Sequence, residues 1–401
     1  MVRGGVSAAG FPRPPEDVVR PEKMAAMHSA DGGQRHDFKF ADGLRAVAAL
    51  SVALFHTFVF TGLRGDTDGL PAIAKIWRVG NFGVPVFIVL SGFVLALPIV
   101  GSSGLVLRKG WQHFIKRRAR RILPPYLISF ALFLALIAAV PWMHEESGTA
   151  WDNKIPVTLG GVVSHLFAVH NLRHDWIYQV NGPAWSVATE WQLYFTLPFL
   201  LLPLWRRTHV AVMVAAAVAI GWAIHFVDPH LDAAHFWFLG LFAMGAAAAY
   251  LVVRETTIRL LGPIVAVGLL ATFAGVLLAH DAAREQDWLT ETVLGAFVAL
   301  GLVWLGQRSL AGSTTPVHRV LESRLLVWIG LWSYSLYLVH SPLLALGNFA
   351  LLELDPSFRV HYVLMFVAVL PCSLTIAYLF HRAVERRFMT SHQQAVRVPV
   401  A

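Results

Sequence analysis

Apolar residues in this chain run in long unbroken stretches, unlike the period-two or three-and-four spacing of a half-buried strand or a water-soluble helix. Crossing about 30 Å of hydrocarbon takes roughly 20 such residues in a helix. Stretches of that kind lie near residues 41–61, 80–100, 122–141, 184–204, 209–227, 234–252, 259–280, 288–307, 326–351 and 361–381. The pattern predicts an all-α integral membrane protein of about ten transmembrane helices enclosing a central cavity. A further apolar patch, 155–169, sits inside the otherwise polar stretch 141–183. At about 15 residues it is short for a span and fits an interfacial or re-entrant helix.

Composition agrees, because 56% of the 401 residues are hydrophobic and only 14% are charged, too apolar a balance for a soluble domain of this length. Lys and Arg total 32 against 24 Asp and Glu, a formal charge of +8. With the N-terminus placed inside, all but about a quarter of the basic residues fall on the inner side, the densest group being 108–121. That asymmetry predicts an N-in, C-in, multi-pass protein of the cell's inner (plasma) membrane. It also accounts for the positive charge by lipid contact, with no nucleic acid partner.

Residues 1–40 are rich in Pro, Gly and charge and have no apolar signal-peptide core, so they are expected to be a disordered cytoplasmic tail. The membrane domain is expected over 41–388, followed by a short polar cytoplasmic tail, 389–401, and no appended soluble domain. The single cysteine, Cys372, excludes an intrachain disulfide and any CxxC motif. No P-loop is present, and the intramembrane histidines do not fall at HExxH or similar spacing, so no metal site is expected.

Titratable side chains inside a transmembrane helix are costly and mark functional sites. Arg45 and His56 share the first span; eleven positions is about three turns, so they fall on one face about 16 Å apart. The bland reading of His56 is a polar contact between helices; the cation on the same face favours function. The fourth span opens at Trp185 and carries Glu190 and, one turn on, Tyr194. Depth counting from the span ends sets Glu190 level with His56, and a neutral acid capping a neighbouring helix is the alternative. Ser333, Tyr337 and His340 recur at i, i+4 and i+7 in the ninth span and, with Trp185, are expected to line the same cavity; hydrogen bonding between helices is the alternative for His340. The basic run 117–121, ending the inner loop, serves as a topology anchor or, with Arg45, as a phosphate site suited to forked arginine donors.

Several ordered motifs give the chain, from about Phe40 to Phe388, a family likeness. These are Asp42-Gly43-Leu44-Arg45 with ten residues before His56, then FGVPVFIVLSGF, RRARRILPPY, PAWSVATEWQLYFTLP and SYSLYLVHSP. With them it resembles the membrane-bound acyltransferase 3 family. The resemblance implies an O-acyltransferase that moves an acyl group, commonly acetyl, from acyl-CoA to a hydroxyl of a glycan, a lipid-linked sugar or a small acceptor. It makes His56 the catalytic histidine with Arg45 as its paired basic residue, and assigns Arg118 and Arg121 to the donor. Glu190 matches an acidic position of the fourth-span motif, which keeps one acid here where two often stand; Pro85 stands where an acid is common.

The joint expectation is a general base at His56 oriented by Glu190 or Tyr194, or else an acyl group carried on His56 itself. A rival reading is an exporter or proton-coupled transporter with His56, Glu190 and His340 as a relay.

Overall fold

The structure is a computed structural model that describes residues 38–61, 72–102, 104–254, 260–279 and 285–389. Most of both expected tails, 1–37 and 390–401, lies outside the described residues. Every ordered element among the described residues is helical. In chain order the main helices are α1 (Lys39–Val59), α2 (Gly83–Val100), α3 (Gly110–Ala139), α4 (Leu159–Leu166), α5 (Trp185–Thr196) and α6 (Val210–Val227). They continue with α7 (Phe238–Val253), α8 (Leu261–Leu278), α9 (Asp287–Leu310), α10 (Arg324–Leu331), α11 (Ser333–Leu352) and α12 (Leu370–Ala383).

Eight helical stretches are long and apolar enough to cross a membrane. The stretch predicted at 184–204 is α5 extended through a widened turn, Leu197–Leu201, into Leu202–Arg207, and α7 is a shorter apolar helix. A second widened turn, Met365–Val369, precedes α12. Both turns adjoin prolines (Pro198 and Pro203; Pro371), whose missing N–H loosens the regular ladder.

The basic run is not a loop. α3 starts at Gly110 and carries Arg117, Arg118, Arg120 and Arg121 through Pro124 and Pro125 into the apolar span. Proline removes two ladder bonds there, a loss that neighbouring helices make tolerable in a membrane protein.

Burial separates centre from periphery. In α2 and α11, 61% and 67% of the most apolar window is buried, against 22% in α6 and α8. The close approach of α2 to α7 rests on two glycines. A Cβ on Gly92 would stand 2.0 Å from the Phe242 carbonyl oxygen, and one on Gly245 would stand 1.9 Å from that of Val89. Dispersion between backbones in contact supplies the attraction that lipid cannot.

α1 runs from an arginine end at Arg45 to a histidine end at His56, packed on α2, α10 and α11. The stretch 141–184 folds over the histidine end as short turns, pinned by Trp151, which is fully buried and donates from Nε1 to the Met143 carbonyl at 2.9 Å. Its only α-helix, α4, exposes Leu159, Val163 and Leu166, with Phe167 just beyond, on one face, the amphipathic form of an interfacial helix.

Candidate active site

His56 occupies the last turn of α1, its ring half-buried between Phe55 and Phe60. Nδ1 lies 2.9 Å from the Val52 carbonyl oxygen, the carbonyl one turn back, and 3.3 Å from Nε2 of His340. His340, on α11 and 1% exposed, sets its own Nδ1 3.0 Å from the Leu336 oxygen and 2.9 Å from that of Tyr337. A carbonyl oxygen only accepts, so His340 carries its proton on Nδ1 and presents the Nε2 lone pair. His56 then donates from Nδ1 to Val52 and towards His340. Its Nε2 keeps a lone pair, and among the described residues that atom makes no hydrogen bond.

Towards the arginine end the polar side chains continue in layers. Tyr337, one turn below His340, is hydrogen-bonded through its hydroxyl to Ser186 Oγ at 2.5 Å and to the Pro183 oxygen at 2.9 Å. One turn further along α5 lies Glu190. Its Oε1 accepts from Tyr194 Oη at 2.7 Å and from Ser91 Oγ on α2. Arg118 and Arg121 stand within electrostatic reach of Tyr194, and Arg118 within reach of Glu190 as well. Arg118 Nε is buried without a hydrogen-bond partner among the described residues. The result is a polar column that descends from two imidazoles, through Tyr337 and Ser186, to a carboxylate and two guanidinium groups.

This geometry corrects the depth assigned to Glu190. Ser186 is level with Tyr337 and Glu190 is a turn beyond, so the carboxylate lies roughly 10 Å below the imidazoles by helical rise. Counting from the edge of the apolar run misplaced it because α5 begins beneath the folded 141–184 stretch, where Gly182, Pro183 and Ala184 are buried. No hydrogen bond joins Glu190 or Tyr194 to His56; the neighbour of the imidazole is His340.

The other expected cavity residues divide. Tyr337 and His340 belong to the column, whereas Ser333 bonds back to the Gly330 oxygen at 2.9 Å and closes its own helix start. Trp185 stacks on His235 with centroids 4.0 Å apart. Arg45 is held by Asp42, one turn before it.

Two groups escaped the sequence reading. Ser91 sits in an apolar run beside Gly92 and reads as packing, yet it bonds Glu190. Glu385, 1% exposed, accepts from Ser335 at 2.5 Å and pairs with His381 at 2.8 Å, tying the end of the last helical stretch to α11. Its position, four residues from the expected tail, carried no signal.

Outside the spans, His165 and His170 are fully buried and stacked, with centroids 3.7 Å apart and planes 9° from parallel. Burial holds His165 down to about 4, and burial together with His165 holds His170 well below the usual histidine range. Both rings are therefore neutral wedges under the stretch 141–184.

The family model described as an acyltransferase domain matches residues 38–382. The acyltransferase MdmB of Streptomyces mycarofaciens is 26% identical over 76% of this chain and 79% of its own. BcsY of Komagataeibacter xylinus, named for membrane-bound transacylase activity, is 27% identical over 90% of this chain and 84% of its own. A protein of Staphylococcus aureus (strain COL), named for O-acetyltransferase activity, is 24% identical over 86% of this chain but only 56% of its own length. No solved structure matches. An enzyme that transfers acyl groups takes precedence over the exporter reading, for the match spans the helices that build the column: the chain belongs to the acyltransferase 3 family of membrane-bound acyltransferases.

Proposed function

We propose that this membrane acyltransferase moves an acyl group, acetyl in the simplest case, from acyl-CoA to a hydroxyl of a carbohydrate or related acceptor, with His56 as general base. The observation that carries the reading is the His56 ring. Its Nδ1–H is occupied by Val52 and His340, while Nε2 keeps a lone pair on a half-buried side chain. An imidazole fixed in that tautomer takes a proton from a hydroxyl within hydrogen-bond reach. His340 accepts from the Nδ1–H of the imidazolium so formed and orients the ring, the role first expected of Glu190.

Arg118 and Arg121 hold the phosphates of the donor, helped by Arg45 at the same end. The column then guides the pantetheine arm towards His56, with Ser91, Glu190, Tyr194, Ser186 and Tyr337 offering donors and acceptors along the way. In this reading the arginine end faces the cytoplasm, N-in and C-in, in the plasma membrane, residues 1–40 and 389–401 are cytoplasmic tails, and 41–388 form the enzyme.

Membranes carrying wild type, His56→Ala and Arg45→Ala, supplied with radiolabelled acetyl-CoA, test the reading. Wild type transfers label to a hydroxylated acceptor and His56→Ala does not, while His56→Ala retains donor binding. Full transfer by His56→Ala overturns the general-base role. Label bound to the protein without acceptor shows instead that His56 carries the acyl group.

A further inference from the structure

General-base attack on a thioester carbonyl places negative charge on the carbonyl oxygen, and a preorganised cation or hydrogen-bond donor at that point supplies much of the rate enhancement in such reactions. Arg45 is about 16 Å from His56 along α1, too distant to serve. Lys154, a residue of the 141–184 stretch with no sequence signal of its own, is positioned to do so.

Two independent contacts bring Lys154 to the histidine end of the column. Trp151, three residues earlier, packs on Phe60 with centroids 6.5 Å apart, and Phe60 in turn lies 6.3 Å from the His56 ring. On the other side, a Cβ at Gly182 would stand 2.7 Å from Lys154 Nζ, so the amine lies against the Gly182 backbone. The neighbouring Asn181 donates from Nδ2 to the Leu338 oxygen at 2.8 Å, two residues before His340 on α11. Lys154 is 6% exposed, and its amine bonds Asn153 and sits 5.2 Å over the Tyr178 ring. A buried ammonium is costly, and this one lies at the end of α1 that carries His56.

We infer that Lys154 is a catalytic residue whose ammonium donates to the carbonyl oxygen of the acyl thioester as charge develops there. The inference rests on the acyltransferase reading above. In the step, His56 Nε2 takes the proton of the acceptor hydroxyl and the hydroxyl oxygen bonds to the thioester carbon. The carbonyl pair moves onto oxygen, where Lys154 stabilises it. The pair then returns, the C–S bond breaks, and the imidazolium gives its proton to the departing thiolate. The products are an ester and a free thiol, and Lys154 ends as it began.

The test compares wild type, His56→Ala, Lys154→Met and Lys154→Arg as full-length protein in lipid nanodiscs, with radiolabelled acetyl-CoA and a hydroxylated acceptor. Lys154→Met is expected to lose about 100- to 1,000-fold in kcat, the scale of one oxyanion donor, with donor KM within about twofold. Lys154→Arg is expected to recover about tenfold or more of that loss, because a cation with donors is restored. A Lys154→Met kcat within about threefold of wild type overturns the proposal, as does a change in KM alone. Equal losses in the Met and Arg variants with lowered thermal stability also overturn it, since they mark a packing role.

If Lys154→Met does not fold, Lys154→Cys is made in a Cys372→Ser background, Cys372 being exposed on the last span. Aminoethylation, which rebuilds a lysine-like amine, restores transfer if Lys154 is catalytic and fails to restore it if it is not. Wild type inert with every acyl-CoA removes the acyltransferase reading and this inference together; an active wild type with inert His56→Ala and active Lys154→Met removes this inference alone.

Discussion

Replacing His340 by alanine removes the only side chain among the described residues that meets His56 Nδ1, at 3.3 Å, and leaves it the Val52 carbonyl. The contact is longer than the usual N–H donor distance, so in the resting enzyme it is worth the low end of a neutral hydrogen bond, about 0.5 kcal/mol. When His56 takes a proton the same contact becomes charge-assisted, worth about 1.5–3 kcal/mol. The difference, about 1–2.5 kcal/mol, is felt only in the transition state and corresponds to a loss of about 5- to 70-fold in kcat. His340→Gln, which keeps an acceptor, recovers part of it. Steady-state transfer of radiolabelled acetyl measures kcat and donor KM separately, and donor KM stays near wild type because Arg118 and Arg121 are layers away. A His340→Ala kcat within about twofold of wild type refutes the reasoning. So does a loss as deep as that of His56→Ala, which would make His340 the proton carrier.

Two further outcomes follow from packing and burial. His165 ordinarily titrates at 6.5 and is held at about 4 when folded, so the unfolded chain binds the extra proton between those values. Its contribution, on the order of 3 kcal/mol, is complete above pH 6.5 and is lost as pH falls towards 4; thermal unfolding in detergent should show a shallower decline from pH 7 to 4.5 in His165→Phe than in wild type, and an unchanged slope refutes it. Gly92→Val forces a Cβ to within 2.0 Å of the Phe242 oxygen, whereas a Cβ at Gly275 meets nothing within 4 Å. Size-exclusion profiles of detergent extracts should show loss of folded protein for Gly92→Val and none for Gly275→Val; equal profiles would mean that α2 and α7 do not pack as described.

Long apolar runs made the membrane class and the helix positions readable, because a hydrocarbon solvent forces backbone pairing within each run whatever its neighbours do. Arg45 and His56 were legible for the same reason, since their spacing on one helix is fixed by helical rise and their cost in lipid is local. The partners of His56 were not. That Nδ1 meets His340 while Glu190 turns to Ser91 and Tyr194 depends on the relative heights of α1, α2, α5 and α11. Those heights are set by backbone approaches such as Gly92 to Phe242 and by the 141–184 stretch, which folds over the start of α5 and carries it below the edge of its apolar run. Lys154 shows the limit most plainly: in the sequence it is one lysine in a polar stretch, and only long-range contacts through Trp151, Phe60, Asn181 and Gly182 bring it to the histidine end of α1. The sequence determined which segments lie in the membrane and which groups are costly there, because both follow from transfer into hydrocarbon; the tertiary structure decided which of those groups face one another, because register between helices is a property of their packing.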